Sequence, residues 1–316
     1  MKAAVIRDFQ QGPRYDAIEL PAQAEGVPVA VLAAALSPRV RSGASGQHYT
    51  SSGALPLVPG IDGVGRLADG RRVYFLAAND AFGTMAERTL AEPRLMVPLP
   101  DDVSATAVAA LMLPAISSWV ALTKRVALQA GQRVLVLGAT GTSGQLAVQI
   151  AKELGAGHVV AAGRDAAALE RVAARGADRI VRLTGTPADG AAVAEAASEV
   201  DVVLDYLWGT VTSAVLPMLC RRRRAEERAL HWVLIGSAAG DEIALSSVLL
   251  RKRNLHVLGS GQGATSTADM FGTAPAIVSA FAAGKLDVAA RVVPLAEVAA
   301  QWSSSSASGE RVVFVP

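Results

Sequence analysis

The chain has few of the residues that build disulfide frameworks and structural metal sites. Its 316 residues include a single cysteine, Cys220, and only four histidines. One cysteine excludes an intrachain disulfide and cannot by itself form a thiolate-rich zinc site. We therefore expect neither a disulfide framework nor a bound metal.

A secretory signal and a membrane span are also not expected. Half of the residues are apolar, and we interpret them as short runs within globular domains rather than as a membrane-spanning segment. The first seven residues include Lys2 and Arg7, with no long apolar core that ends at a small-residue cleavage site. The expected location is therefore the cytoplasm.

Charge is nearly balanced, with a formal net charge of +2. The exception is the arginine run 221–224, which could bind an anion such as nucleic acid. Glu226 and Glu227 follow it directly, and no aromatic residue is interleaved. We interpret the run as a solvated helix end or loop, and we predict no nucleic-acid or membrane partner.

The length predicts two domains, because a single core seldom grows beyond about 250 to 300 residues. Short β-like runs separated by turn residues dominate the first hundred positions, including 29–32, 72–76 and 94–99. A helical pattern follows over 104–129, interrupted at Pro114. The first part therefore predicts a mostly β domain.

Strands and helices then alternate, which predicts an α/β domain. The predicted strands are short and mostly continuously apolar, and they are 133–137, 158–162, 179–181, 202–204, 231–235 and 255–258. This pattern is typical of a parallel sheet covered by helices on both faces. We predict a doubly wound, six-stranded Rossmann domain over 118–265. The mostly β domain comprises 1–117 and 266–316, because the tail strands 291–293 and 311–315 are assigned to it.

A glycine-rich loop lies between the first of these strands and the helix that follows. It reads Gly138, Ala139, Thr140, Gly141, Thr142, Ser143 and Gly144. A dinucleotide pyrophosphate binds a helix N-terminus in this context, because backbone N–H groups and the helix dipole favour anions and glycine permits close approach. We predict a dinucleotide site here, with a glycine-rich structural turn as the alternative.

The choice of dinucleotide depends on the end of the next strand. An acidic residue there would bind the 2′-hydroxyl of NAD, but the position is Gly163. Arg164 follows, and a guanidinium can pair with the 2′-phosphate of NADP. We predict NADPH/NADP as the cofactor. In the alternative, Arg164 is a surface residue and Asp165 binds the ribose.

The order of these features resembles that of the zinc-free quinone oxidoreductases of the medium-chain dehydrogenase/reductase superfamily. Besides the phosphate loop, the resemblance is carried by 1–5, 35–38, 58–65, 82–87, 154–156 and 176–178. It covers essentially the whole chain. It implies a GroES-like catalytic domain completed by the C-terminal tail, and a homodimer formed through strand 255–258.

The resemblance also bears on the reaction. Zinc-dependent relatives have cysteine, histidine and glutamate where this chain has Ser37, Ile61 and Asp62. Without zinc to polarise a carbonyl, hydride is expected to go to an already activated acceptor, a quinone or a conjugated enone. The predicted partner is thus a small hydrophobic electron acceptor.

The remaining site residues are also taken from the resemblance. Tyr49 matches a tyrosine that lines the substrate cleft, which makes it the best candidate proton donor, with a role as pocket wall as the alternative and His48 as a weaker donor. Ser117 corresponds to a hydroxyl near the nicotinamide, although a helix N-cap is also compatible with it. The residues expected to flank the nicotinamide are Gly236, Ser237, Gly259 and Ser260. Tyr206 is either an adenosine contact or a core or rim aromatic.

Two other functions remain open. One is the reduction of aldehydes, ketones or imines, which the fold also permits. The other is a non-catalytic protein that binds NADPH as a redox sensor.

Overall fold

The computed structural model describes residues 1–20, 25–49, 51, 53–223, 227–304 and 309–316. They form two compact units. The first comprises Met1–Leu113 and Val288–Pro316, and the second comprises Pro114–Asp287.

The first unit is built mainly of antiparallel strands. Its elements in chain order are β1 (Lys2–Val5), β2 (Arg14–Ala17), β3 (Val27–Leu36), α1 (Pro38–Ala44), β4 (Asp62–Arg66), β5 (Arg72–Ala77), β6 (Arg88–Pro98) and the start of α2 (Ala105–Val120). β1 pairs with β2, while β3 to β6 pair in sequence and β3 also pairs with β6, so that these four strands close on themselves. Their buried side chains, such as Val31, Val73 and Phe75, form a core inside the closed sheet.

The second unit alternates strands and helices. Its elements are β7 (Arg133–Leu137), α3 (Thr142–Glu153), β8 (His158–Gly163), α4 (Ala166–Ala174), β9 (Arg179–Arg182), α5 (Ala188–Ala196), β10 (Val202–Asp205), α6 (Gly209–Arg222), β11 (Leu230–Leu234), α7 (Ser247–Lys252), β12 (Leu255–Gly259), α8 (Thr267–Phe271) and α9 (Ala274–Ala282). All six strands are parallel, in the order β12-β11-β10-β7-β8-β9. This is the Rossmann strand order, and it confirms the predicted doubly wound sheet.

The C-terminal tail returns to the first unit. It contains β13 (Ala289–Pro294), α10 (Val298–Trp302) and β14 (Glu310–Val315). β14 pairs antiparallel with β3 and parallel with β13. The two tail strands join the mostly β unit, as predicted, whereas residues 266–287, which the prediction assigned to the same domain, lie in the second unit.

Helix α2 differs from its prediction in two respects. With the π-helical turn Ala121–Arg125 it forms a 21-residue segment that by length and composition alone could cross a membrane. The prediction that the apolar residues form only short runs was therefore wrong for this segment. Of its most apolar 18 residues, 72% are buried inside the protein, as in a core helix. The helix also continues through Pro114, where the sequence predicted an interruption.

The arginine run is only partly solvated. Arg221 and Arg222 are exposed at the end of α6, as predicted, and Arg224 lies outside the described residues. Arg223 contradicts the prediction of a solvated run, because its side chain is buried. Its guanidinium donates to the carbonyls of Val200, Arg228 and Ala229, at 3.1, 2.6 and 3.0 Å. Such bonds offset the cost of burying the charge, so Arg223 is a structural residue.

Candidate functional site

The phosphate loop lies at the carboxyl edge of the parallel sheet. It begins where β7 ends, and the backbone N–H groups of Gly138 and Ala139 both donate to the carbonyl of Ala162 at 2.9 Å. α3 then starts behind Gly141, an N-cap with no side chain. A Cβ on Gly144 would lie 2.2 Å from the carbonyl oxygen of Gly138, so only glycine lets the helix approach the loop this closely. The loop therefore presents a helix N-terminus suited to a pyrophosphate.

The structure at the end of β8 explains why position 163 carries no acidic residue. A Cβ on Gly163 would lie 2.5 Å from Thr140 Cγ2 and 2.9 Å from Thr140 Oγ1. An aspartate or glutamate therefore does not fit unless Thr140 moves. Arg164 is exposed immediately beyond, whereas the Asp165 carboxylate caps α4 by accepting the N–H of Ala168 at 2.8 Å. The Asp165 carboxylate is therefore engaged in a helix cap, while the Arg164 side chain is exposed to solvent.

The predicted nicotinamide contacts lie at the same edge of the sheet. Gly236 and Ser237 follow β11, and the N–H of Gly236 donates to the carbonyl of Asp205 at 3.1 Å. Gly259 ends β12, and the buried Ser260 donates its N–H to the carbonyl of Leu234 at 2.8 Å. The fold therefore brings together the ends of β7, β8, β10, β11 and β12, where ligands of doubly wound sheets bind.

The neighbouring serines of α2 correct one sequence prediction and add one residue that the sequence analysis missed. Ser117 is not a helix N-cap, because it lies inside α2 and its hydroxyl donates to the carbonyl of Pro114 at 2.7 Å. The neighbouring Ser118, which sequence reasoning missed, is fully buried. Its Oγ lies 2.7 Å from the hydroxyl of Tyr206. No local sequence signal could have found this pair, since the partners are 88 residues apart.

The turn after β10 is fixed by a buried carboxylate. Asp205 accepts the backbone N–H groups of Leu207 and Trp208, each at 2.9 Å. It also accepts the indole N–H of Trp232 at 2.8 Å and the hydroxyl of Thr212. Trp208 has a φ of +53°, a conformation that non-glycine residues rarely adopt. The four donors on Asp205 hold this strained turn in place.

Tyr49 lies in the first unit. Its side chain is exposed, at 74%, and its ring centroid is 4.2 Å from that of His48. Burial lowers the pKa of His48, and the charge of Arg39 lowers it further, so this imidazole is neutral at physiological pH. The role of Tyr49 as proton donor stays a prediction.

The positions that hold zinc ligands in zinc-dependent relatives serve other purposes in this protein. Ser37 caps α1, its Oγ accepting the N–H of Val40 at 3.1 Å. Asp62 is buried and accepts the hydroxyl of Tyr74 at 3.1 Å. Burial raises the pKa of Asp62 to about 6, although Tyr74 and the nearby Arg311 counteract the shift. Within the described ranges, no three His, Cys, Asp or Glu side chains come together as a metal site.

A separate cavity lies at the other end of α3 and has a volume of about 410 Å³. Its walls include Lys152, Arg175 and Asp287, and the last two form an ion pair. Lys152 is likewise paired with Asp178, at 2.6 Å. A helix C-terminus disfavours anions, so this cavity does not suit a pyrophosphate.

Comparisons with known proteins agree with this geometry. No protein-family model matches the chain. A probable NADPH-dependent quinone reductase of Emericella nidulans is 30% identical over 338 aligned positions, covering 94% of each protein. An NADPH-dependent alkenal/one oxidoreductase of Arabidopsis thaliana is 31% identical over 49% of this chain and 44% of its own length. The quinone oxidoreductase of Thermus thermophilus, solved alone and with NADPH, is 27% identical, covers 100% of both chains and superposes with a TM-score of 0.83.

Proposed function

Because this chain belongs to the quinone reductase family of the medium-chain dehydrogenase/reductase superfamily, we propose that it is an oxidoreductase that delivers hydride from NADPH to a quinone or a conjugated enone. The observation that carries the proposal is the complete phosphate loop at the carboxyl edge of the sheet, in a chain similar to a quinone reductase over 94% of its length. Bound NADPH supplies the hydride; the protein binds and orients both reactants.

The second unit suits NADPH residue by residue. Gly138 to Gly144 would hold the pyrophosphate at the N-terminus of α3, where the N–H groups and the helix dipole favour an anion. Arg164 would bind the 2′-phosphate through charge-assisted hydrogen bonds. Thr140 keeps an acidic side chain out of the Gly163 position, which removes the group that would select NAD. We assign the second unit, which contains the predicted 118–265, to the cofactor, and the first unit to a small hydrophobic acceptor.

The reaction needs a proton as well as a hydride. Hydride added to the β-carbon of an enone leaves an enolate, and hydride added to a quinone leaves a phenolate, so each product takes up one proton. We propose the Tyr49 hydroxyl as the donor, since a phenol is a suitable acid for such an oxyanion. Catalysis is proposed to need no metal, because the acceptor is already activated.

The assembly and location are part of the proposal. β12 lies at the end of the Rossmann sheet and pairs only with β11 within the described chain. An open edge strand can pair with a second copy, and a twofold axis there would join two sheets into one. We therefore propose a homodimer through Leu255–Gly259. A cytoplasmic location is proposed, since the reaction needs the cellular NADPH pool.

The test is the oxidation of NADPH, followed by loss of the reduced nicotinamide absorbance, with a simple quinone, an enone and an aldehyde. NADH and a chelator are compared in parallel. Turnover of quinone or enone with NADPH, unaffected by the chelator, is the expected result. Turnover of the aldehyde alone would indicate a carbonyl reductase. Tight NADPH binding without any turnover would indicate a redox sensor.

A further inference from the structure

Tyr206 lies at the point where the strand order of the Rossmann sheet reverses. It follows β10, which pairs with β7, and its N–H donates to the carbonyl of Leu137 at 3.1 Å. A Cβ on Gly138, the first residue of the phosphate loop, would lie 3.2 Å from Tyr206 Cβ. The carbonyl of Tyr206 accepts the N–H of Ala238, beyond β11. This one residue therefore touches both the phosphate loop and the segment that follows β11.

The topology decides which half of the dinucleotide lies on this side. The adenosine ribose of a Rossmann dinucleotide binds at the end of the second strand, here β8 with Gly163. The pyrophosphate crosses at the phosphate loop after β7. The nicotinamide half then falls on the side of β10, β11 and β12, which is the side of Tyr206. An adenosine contact through Tyr206 is therefore disfavoured.

The hydroxyl of Tyr206 reaches back to α2. It lies 2.7 Å from the Oγ of Ser118, which is fully buried. Burial raises the pKa of Tyr206 to about 12, so the phenol stays protonated at neutral pH and can keep this hydrogen bond. The contact joins Tyr206 to the helical turn that begins at Pro114, whose carbonyl also accepts the Ser118 hydroxyl at 3.4 Å.

That helical turn also carries Ser117. Its hydroxyl donates to the carbonyl of Pro114, so Ser117 and Ser118 are both oriented by contacts within this turn and with Tyr206. On the other side, the four donors on Asp205 fix the backbone directly before and after Tyr206. The phenol therefore links two rigid segments.

We infer that Tyr206 is a positioning residue for the nicotinamide half of NADPH, and that it acts by holding the Ser117–Ser118 turn of α2 against the carboxyl edge of the sheet. The inference deepens the proposed function and rests on it for the identity of the cofactor. Affinity for the nicotinamide half should then depend on the Tyr206–Ser118 hydrogen bond, whereas affinity for the adenosine half should not.

The experiment compares Tyr206→Phe, Ser118→Ala and the double variant, with Tyr15→Phe in β2 as the matched control. Dissociation constants are measured by calorimetry for NADPH and for 2′,5′-ADP, which lacks the nicotinamide half. Thermal unfolding midpoints are recorded for every variant. We expect each single variant to weaken NADPH about 5- to 10-fold, the scale of one neutral hydrogen bond. We expect 2′,5′-ADP to change less than about twofold, and the double variant to be no weaker than either single one.

Equal weakening of both ligands would overturn the inference, because it would indicate general damage to the domain. Selective loss of 2′,5′-ADP affinity would also overturn it and would make Tyr206 an adenosine contact. Unchanged NADPH affinity in both single variants would also overturn the inference. These readouts need no turnover, so a wild-type protein that binds NADPH but reduces no acceptor would defeat the proposed function and leave the Tyr206 result to be judged separately.

Discussion

Selectivity for NADPH should depend on Arg164. The perturbation is Arg164→Ala, and the matched control is Arg179→Ala, an exposed arginine at the amino end of β9, away from the carboxyl edge. Arg164 is exposed immediately after β8 and heads the turn before α4. Its side chain can therefore be removed without opening a cavity, and any loss of affinity reports the lost contact.

The size of the effect follows from the contact that is lost. A hydrogen bond to a charged group is worth about 1.5–3 kcal/mol, and exposure to solvent places Arg164 at the lower end. About 1.5–2 kcal/mol corresponds to a loss of roughly 10- to 30-fold in NADPH affinity. NADH lacks the 2′-phosphate, so its affinity should change by less than about twofold.

The assay is titration of each variant with NADPH and NADH at a fixed salt concentration, since a charge contact is weakened by salt. Equal loss for both cofactors, or no loss for either, would refute the assignment of Arg164 to the 2′-phosphate. A second variant extends the reasoning: Gly163→Asp should bind neither cofactor well while Thr140 occupies the space. Adding Thr140→Ala and Arg164→Ala to it should improve NADH binding.

The proton donor and the buried acid give two further predictions. Tyr49→Phe should lower kcat for an enone by about 100-fold while leaving NADPH affinity unchanged, as for loss of a general acid; an unchanged kcat would make Tyr49 a wall of the pocket. Burial raises the pKa of Asp62 to about 6 in the folded protein, above the ordinary carboxyl value that it has in the unfolded chain. The folded state is therefore most stable below that ordinary value, where the carboxyl is neutral in both states, and it loses this stability as the pH rises through 6. Between about pH 4.5 and about pH 8, Asp62→Asn should therefore gain roughly 2 kcal/mol relative to the wild type in urea unfolding; a pH-independent difference would show that the carboxyl does not titrate there.

The sheet of the second unit was predictable because its strands are buried on both faces. A strand such as 133–137 is then almost continuously apolar and stands out from the helices around it. The phosphate loop was predictable for a related reason, since its glycines are required by local backbone geometry. Local patterns sufficed wherever the structural constraint was itself local.

Long-range contacts account for what the sequence did not reveal. Arg223 resembles its neighbours in the run, and the carbonyls that accept its guanidinium belong to Val200, Arg228 and Ala229, outside the run. Ser118 was missed because its partner, Tyr206, is 88 residues away in the sequence.

The same topology predicts how two perturbations combine. Gly163 and Arg164 follow β8, whereas Tyr206 follows β10, and β7 with its phosphate loop lies between these strands. If Arg164 holds the 2′-phosphate and Tyr206 positions the nicotinamide half, then the two act on separate parts of one ligand. Effects of sites without shared partners add in free energy, so the NADPH dissociation constant of Arg164→Ala/Tyr206→Phe should rise by the product of the two single factors. A double variant no worse than Arg164→Ala alone would instead show that both residues act through the phosphate loop, whose Thr140 lies against Gly163, the neighbour of Arg164, and whose Gly138 lies against Tyr206.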